Sequence, residues 1–193
     1  MEFPKSASSS LKRRTAYNPF MRKFFSKPEI LRSFVFGVED SLVSTVGLVS
    51  GIAIVGSERP VILITGVILI FVEAFSMAVG DLLSDNAVRE MRAKGETPLG
   101  ESLTQSLVMF FSYFLSGFFV ILPYVFLSPQ FALPLSIAIS LVLLFTLGAF
   151  GGALSKISIV RNGFTMAMIG GAAIIIGMTA GVGIQYLTGV GIL

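Results

Sequence analysis

The sequence predicts an all-α integral membrane protein with five transmembrane helices. The chain has 193 residues, of which 54% are hydrophobic and only 13% are charged, whereas soluble domains carry about 25% charged residues. The apolar residues are grouped into five segments, and each meets the roughly 20 residues that a helix needs to cross the hydrocarbon core. Polar turn signals separate neighbouring segments. The predicted spans are residues 34–55, 61–83, 106–127, 131–154 and 164–188.

The first span follows a polar, basic segment, residues 1–33. This segment has no small-residue cleavage pattern, so a removable signal peptide is not expected. We interpret it as a cytoplasmic N-terminal segment, which either rests on anionic lipid or only enforces the orientation of the chain. The remainder, residues 34–193, is expected to form one transmembrane domain.

The second span is followed by the longest connection, residues 84–105. This connection is charged, and we expect it to continue the second helix beyond the membrane surface. The third and fourth spans are joined by a short turn, and the first, fourth and fifth spans are rich in glycine. Small residues at intervals of four let membrane helices approach closely, so these glycines are interpreted as packing residues: Gly47, Gly51, Gly148, Gly151, Gly152, Gly170, Gly171, Gly177, Gly181 and Gly183.

Basic residues predict the topology. They cluster before the first span, after the second and after the fourth, and Arg59 alone falls on the other side. The positive-inside rule therefore predicts a cytoplasmic N-terminus and a C-terminus that is outside or luminal. The residues on the predicted cytoplasmic side are Lys5, Lys12, Arg13, Arg14, Arg22, Lys23, Lys27, Arg32, Arg89, Arg92, Lys94, Lys156 and Arg161.

The second span carries a row of acids and a methionine at intervals of four residues. The row consists of Glu73, Met77, Asp81 and Asp85, and each step rotates by only about 40° around the helix. A charged group near the centre of a membrane helix costs about 2.5–3.5 kcal/mol. Several aligned acids therefore indicate that the protein handles cations.

The first span adds Glu39 and Asp40. If the first two helices form an antiparallel hairpin, Asp40 lies roughly 10 Å deep and Met77 roughly 11 Å deep, at about 1.5 Å per residue. We therefore expect these two side chains at matching depth. Glu73 is expected one turn farther in, level with Ser44 and Thr45.

The available ligand types restrict the chemistry. The chain has no cysteine and no histidine, so a site must use carboxylate, thioether, hydroxyl and carbonyl groups. A thioether contributes nothing to Mg²⁺ or Ca²⁺ binding, and a site that mixes acids with methionine leans toward Fe²⁺, Mn²⁺ or another transition metal. The candidate metal ligands are Asp40, Glu73, Met77 and Asp81; Glu73 and Asp40 are also proton-coupling candidates, and the entrance candidates are Glu39, Asp85 and Glu90.

Simpler interpretations remain open for most of these residues. Asp40 alone could cap the membrane interface, Met77 alone could be core packing, and Asp81 and Asp85 could be solvated where the helix leaves the membrane. Glu39 points about 100° away from Asp40, toward Arg32 or the interface. Glu73 is the hardest to dismiss, because no basic residue in the spans can neutralise it.

Two motifs resemble the vacuolar iron transporter family. In the first span, FVFGVEDSLVSTVGLVSGIA, the matching residues include Phe36-Gly37, Asp40 and Leu42-Val43-Ser44-Thr45; Ser41 replaces the family's usual glycine. In the second, AFSMAVGDLLS is similar to the family's Ser-Met-Ala-x-Gly-Glu-Tyr-Leu-Ser segment, with Asp81 in place of glutamate. The glycine-rich helices around residues 147–177 are also similar. The resemblance extends over about residues 33–188.

The resemblance implies a homodimeric, proton-coupled transporter that moves Fe²⁺ or Mn²⁺ out of the cytosol, in a cell membrane or a vacuole-like organelle membrane. Asp40 and Met77 match family positions that line the ion path at the dimer interface. The family often has a glutamate at the position of Leu69, which Glu73 could replace from one turn away. The implied partners are a second copy, membrane lipid and the transported metal; no nucleic acid and no permanently bound cofactor are expected.

The chain departs from the family at the connection over residues 84–105. Many relatives insert a glutamate-rich, metal-binding cytoplasmic domain there, and this chain is a short form that lacks the room for it. Two other functions would also place acidic residues inside a membrane protein. An intramembrane aspartyl protease using Asp40 and Asp81 lacks the required Gly-x-Gly-Asp motif, since Gly80-Asp81 follows Ala78-Val79. A membrane scaffold, whose buried acids only hold helices together, remains the alternative.

Overall fold

The computed structural model describes residues 27–188, and this part of the chain contains five long helices. Each predicted span corresponds to one helix, and no strand occurs among the described residues. All five helices are long and apolar enough to cross a membrane. The helices are α1 (Pro28–Ile54), α2 (Arg59–Ala93), α3 (Gly100–Phe126), α4 (Pro129–Leu154) and α5 (Ile159–Thr188).

Proline and lysine define several helix ends. Prolines occupy the first turns of α1, α2 and α4, where a missing N–H leaves no hydrogen bond unmade. After α2 and α4 the chain turns through a left-handed residue, Lys94 at φ 55° and Lys156 at φ 57°. The following N–H groups close these turns, Gly95 onto the Glu90 carbonyl and Ile157 onto that of Gly152, as in a Schellman motif.

Helix α1 is the centre of the bundle and contacts all four other helices. Helix α3 packs against both α1 and α2, and α5 packs against α4 and α1. The predicted pairing of the first two helices is present, but α2 makes more of its contact with α3 than with α1. As a result α2 and α5 are the least buried helices, and each presents an apolar outer face.

Glycines bring α1 and α5 into backbone contact. A Cβ atom added at Gly51 would lie 2.5 Å from the carbonyl oxygen of Gly177, and one at Gly177 or Gly181 would collide with the α1 backbone at Gly47 or Gly51. The packing interpretation is therefore confirmed for these glycines. It is wrong for Gly183, whose missing side chain would meet nothing within 4 Å.

Helix α2 extends well past the membrane, as the sequence predicts. Its 35 residues correspond to about 52 Å of helix, whereas the hydrocarbon core is about 30 Å thick. The link to α3, residues 94–99, is short, so no separate domain stands between the two helices. Most of the predicted basic segment, residues 1–26, lies outside the described residues, as do residues 189–193.

Candidate ion site between the first three helices

Two contacts establish how α1 and α2 are aligned. The Ser33 hydroxyl donates a 3.0 Å hydrogen bond to the Asp81 carboxylate. Farther along, a Cβ at Gly66 would lie 3.4 Å from the Val49 side chain. The helices are therefore antiparallel, with residue 33 level with residue 81 and residue 49 level with residue 66.

This alignment corrects the predicted depths. Asp40 is level with residues 74–75, between Glu73 and Met77, instead of level with Met77 itself. Glu73 is level with residues 41–42, not with Ser44 and Thr45 as predicted. The shift is roughly 3–4 Å at about 1.5 Å per residue. The predicted depths rest on residue counts from estimated membrane boundaries. The observed alignment follows from side-chain contacts between the two helices.

Asp40 and Glu73 form a carboxyl pair inside the bundle. Both side chains are half-buried, and the two groups are close enough to repel one another electrostatically. The predicted spans that carry them, residues 34–55 and 61–83, contain no lysine or arginine. At this depth the pair therefore needs protons or a bound cation to compensate its charge.

Tyr113 on α3 adds a hydroxyl to this pair, which the sequence analysis missed. Its side chain is fully buried, and its hydroxyl lies 2.7 Å from the Ser44 hydroxyl. Tyr113 also interacts electrostatically with both Asp40 and Glu73. The Ser41 hydroxyl donates a 2.7 Å hydrogen bond to the Tyr113 carbonyl, which ties α3 to α1 at the same level.

A polar stripe along α3 is the signal that could have identified Tyr113. Polar residues share one side of this helix and are buried in the structure, although the segment is apolar overall. Such a stripe in a membrane helix indicates a face turned toward protein or a polar path. Its members are Ser102, Gln105, Ser106, Ser112, Tyr113 and Ser116.

Asp81, a candidate metal ligand, lies in a buried position between α1 and α2. It is only 8% exposed, and it accepts the hydrogen bond from Ser33. The guanidinium of Arg32, which the sequence places as a possible partner of Glu39, interacts electrostatically with Asp81. Glu39 itself is half-buried beside Asp40. Asp81 is thus eight residues, or about two helical turns, nearer the predicted cytoplasmic side than Glu73.

Asp85, an entrance candidate, has its charge compensated within the chain. Arg89 donates a 2.6 Å hydrogen bond to its carboxylate, and the Ser102 hydroxyl donates another of 2.6 Å. Burial opposes ionisation of Asp85, but these hydrogen bonds outweigh it and hold the pKa of the carboxyl below its ordinary value. The last entrance candidate, Glu90, accepts a 2.9 Å hydrogen bond from Asn86.

A single chain brings together two of the candidate acids, not all of them. Within residues 27–188, no three acidic side chains come close enough to hold a metal ion. The Asp40–Glu73 pair, Asp81 and Asp85 instead follow one another along α2, from the bundle centre toward the end of the helix that is predicted to be cytoplasmic. Met77 is half-buried between Glu73 and Asp81 on the same helix.

The comparisons with known proteins point to one family. A family model described as the VIT family matches residues 31–97 and 89–182. These matched segments contain α2, α3 and α4 entirely and most of α1 and α5, and so include every candidate site residue. No curated protein matches the chain.

Proposed function

The chain belongs to the VIT family of membrane metal transporters, and on this premise we propose that it moves Fe²⁺ or Mn²⁺ out of the cytosol in exchange for protons. It is a multi-pass integral protein of a cell or organelle membrane. The observation that carries the proposal is the Asp40–Glu73 pair, two half-buried carboxyl groups within electrostatic range of one another and without a basic residue in their spans.

The proposed metal site is shared between two subunits. Each subunit offers Asp40, Glu73 and Met77 but, among residues 27–188, no group of three acids, and a transition metal commonly takes four to six ligands. A symmetric dimer would present two copies of each side chain around its axis. The Met77 thioether favours Fe²⁺ or Mn²⁺ over Mg²⁺ and Ca²⁺.

Charge balance supports the proton exchange. When a divalent cation leaves a carboxyl pair at this depth, two protons restore neutrality, and the desolvated charges would otherwise be costly. Asp40 and Glu73 are the groups that would take these protons. The Tyr113 and Ser44 hydroxyls, 2.7 Å apart, supply a hydrogen-bonding pair beside them.

Metal uptake into proteoliposomes tests the proposed site. We expect Asp40→Asn and Met77→Ala each to reduce the initial rate of Mn²⁺ or Fe²⁺ uptake by at least about tenfold, since even an outer-shell change costs a metal site 10- to 100-fold in affinity or activity. Glu58→Gln is the matched control, because Glu58 is exposed at the other end of α2 and should keep the wild-type rate. Wild-type rates in both site variants would contradict the proposal.

A pH-sensitive dye inside the same vesicles tests the exchange. Metal movement by the wild-type protein should produce an opposite proton movement, and Glu73→Gln should uncouple the two because it removes one of the two groups that exchange protons. A proton signal that is unchanged in Glu73→Gln would remove Glu73 from the coupling mechanism.

A further inference from the structure

Arg89 joins three side chains at the cytoplasmic end of the α2–α3 pair. Its guanidinium donates 2.6 Å hydrogen bonds to Asp85 on α2 and to Glu101 on α3, and a 3.1 Å hydrogen bond to Gln105 on α3. Glu101 also faces Lys27 at 3.9 Å. One arginine thus connects the extension of α2 to the start of α3 beside the beginning of α1.

The opposite end of α2 is held in a different way. There Gly66 and Ile70 pack closely against Ile121 and Gly117 of α3, and Ile62, Ile70 and Ile121 belong to one buried apolar cluster. Separating these closely packed side chains would cost a large amount of free energy. The cytoplasmic half of α2 instead depends on polar contacts, through Asp81 and Arg89. Helix α2 therefore has one end held by close apolar packing and one end held by polar contacts.

We propose that Arg89 is a latch that holds the cytoplasmic end of α2 on α3, and that an entering divalent cation opens it by competing for Asp85 and Glu101. Both carboxylates line a cavity of about 720 Å³ that also includes Arg89 and Arg92, so a hydrated cation has room to approach. The Glu101 side chain is 66% exposed, and ion pairs exposed to this degree are weak. The role of the latch in transport rests on the proposed function, whereas the contact of Arg89 with Asp85 and Glu101 does not.

Distance measurements between spin labels test the latch directly. The chain contains no cysteine, so labels attach only at introduced sites, for example Met91→Cys on α2 and Leu103→Cys on α3, both of which are exposed. In this background we expect Arg89→Gln to broaden and lengthen the distance distribution. Glu101→Gln, which leaves α2 unaltered, should do the same to a smaller extent.

Arg92→Gln is the matched control for this measurement. Arg92 is exposed, and within residues 27–188 no carboxylate lies within 4 Å of it. Its substitution should leave the distribution unchanged. A distribution in Arg89→Gln identical to that of the control would overturn the latch.

Uptake at limiting Mn²⁺ tests the link to transport. Loss of the latch should raise the initial rate about two- to fivefold at low Mn²⁺ and leave the rate at saturation unchanged, in keeping with the strength of a partly exposed ion pair. If labels report opening but uptake at low Mn²⁺ equals that of Arg92→Gln, the competition with metal is overturned. If the parent protein moves no metal, the proposed function fails while the label distances still decide the latch.

Discussion

Asp85 differs from Asp40 and Glu73 because a cation from the same chain already compensates its charge. Arg89 and Ser102 both donate to its carboxylate, whereas Asp40 and Glu73 are close enough to repel one another electrostatically. The pKa of Asp85 lies below its ordinary value of 3.8 as a result. Acidic residues therefore differ in how their charge is compensated, according to the side chains that neighbouring helices place beside them.

The lowered pKa of Asp85 makes stability depend on pH. A carboxyl whose pKa is lower in the folded state contributes stability above its unfolded pKa and loses it as the pH falls through the folded pKa. We expect the melting temperature of the wild-type protein in detergent to fall between about pH 5 and pH 2, and to fall less steeply in Asp85→Asn. Glu96→Gln, at an exposed loop position, serves as control. Equal slopes in Asp85→Asn and wild type would contradict this account.

Asp40 and Glu73 could be identified from the sequence because an acid in an apolar span is conspicuous by itself. The polar stripe of α3 indicates that Tyr113 faces protein, but its place beside the two acids depends on how α3 packs against α1. The contact between α2 and α3 through Asp85 and Arg89 is not predicted by the sequence, for a related reason. An arginine four residues after an aspartate is a frequent helical pair, and only the start of α3 turns it into a connection between helices.

At the scale of elements, α1 has two faces of different character. One face carries Ser33, Gly37 and Ser41, which lie against α2 or α3. The other carries Gly47 and Gly51, which contact the backbone of α5. Small residues serve both faces because membrane helices gain stability from close contact and interhelical hydrogen bonds instead of from the hydrophobic effect.

The α1–α5 contact predicts opposite effects for two glycines of α5. Gly177→Ala should destabilise the protein by about 1–3 kcal/mol, because the new methyl group would collide with the Gly47 backbone and overpacking costs that much. Gly183→Ala should be neutral or stabilise by up to about 1 kcal/mol, since its methyl group meets open space and alanine favours a helix. Unfolding in detergent followed by circular dichroism compares the two. Similar losses in both variants would contradict the close contact.

At the scale of the whole molecule, the five helices differ in how much of their surface is buried. Helices α1 and α3 form the interior, while α2 and α5 leave apolar faces on the outside. Inside a membrane these faces meet lipid or a second subunit, so their exposure is compatible with stability. The acid-bearing helix α2 is thus also a peripheral helix.

The orientation of the molecule can be tested with single cysteines, because the native chain has none. Glu58→Cys and Glu96→Cys introduce thiols at exposed positions at the two ends of α2. The positive-inside rule predicts that an impermeant maleimide labels Glu96→Cys from the cytoplasmic side only and Glu58→Cys from the opposite side only. The reverse labelling pattern would show that the predicted orientation is wrong.

The sequence by itself determined the number of helices, their approximate spans, the extension of α2 and the acids within the membrane. These features are local, since about 20 apolar residues span a bilayer and an ionisable residue there is costly whatever surrounds it. The tertiary structure alone decided the alignment of α1 with α2, the place of Tyr113 beside Asp40 and Glu73, and the Arg89 contact between α2 and α3. These features depend on how side chains of separate helices interlock, and small residues such as Gly66 and Gly117 set that fit only once their neighbours are in place.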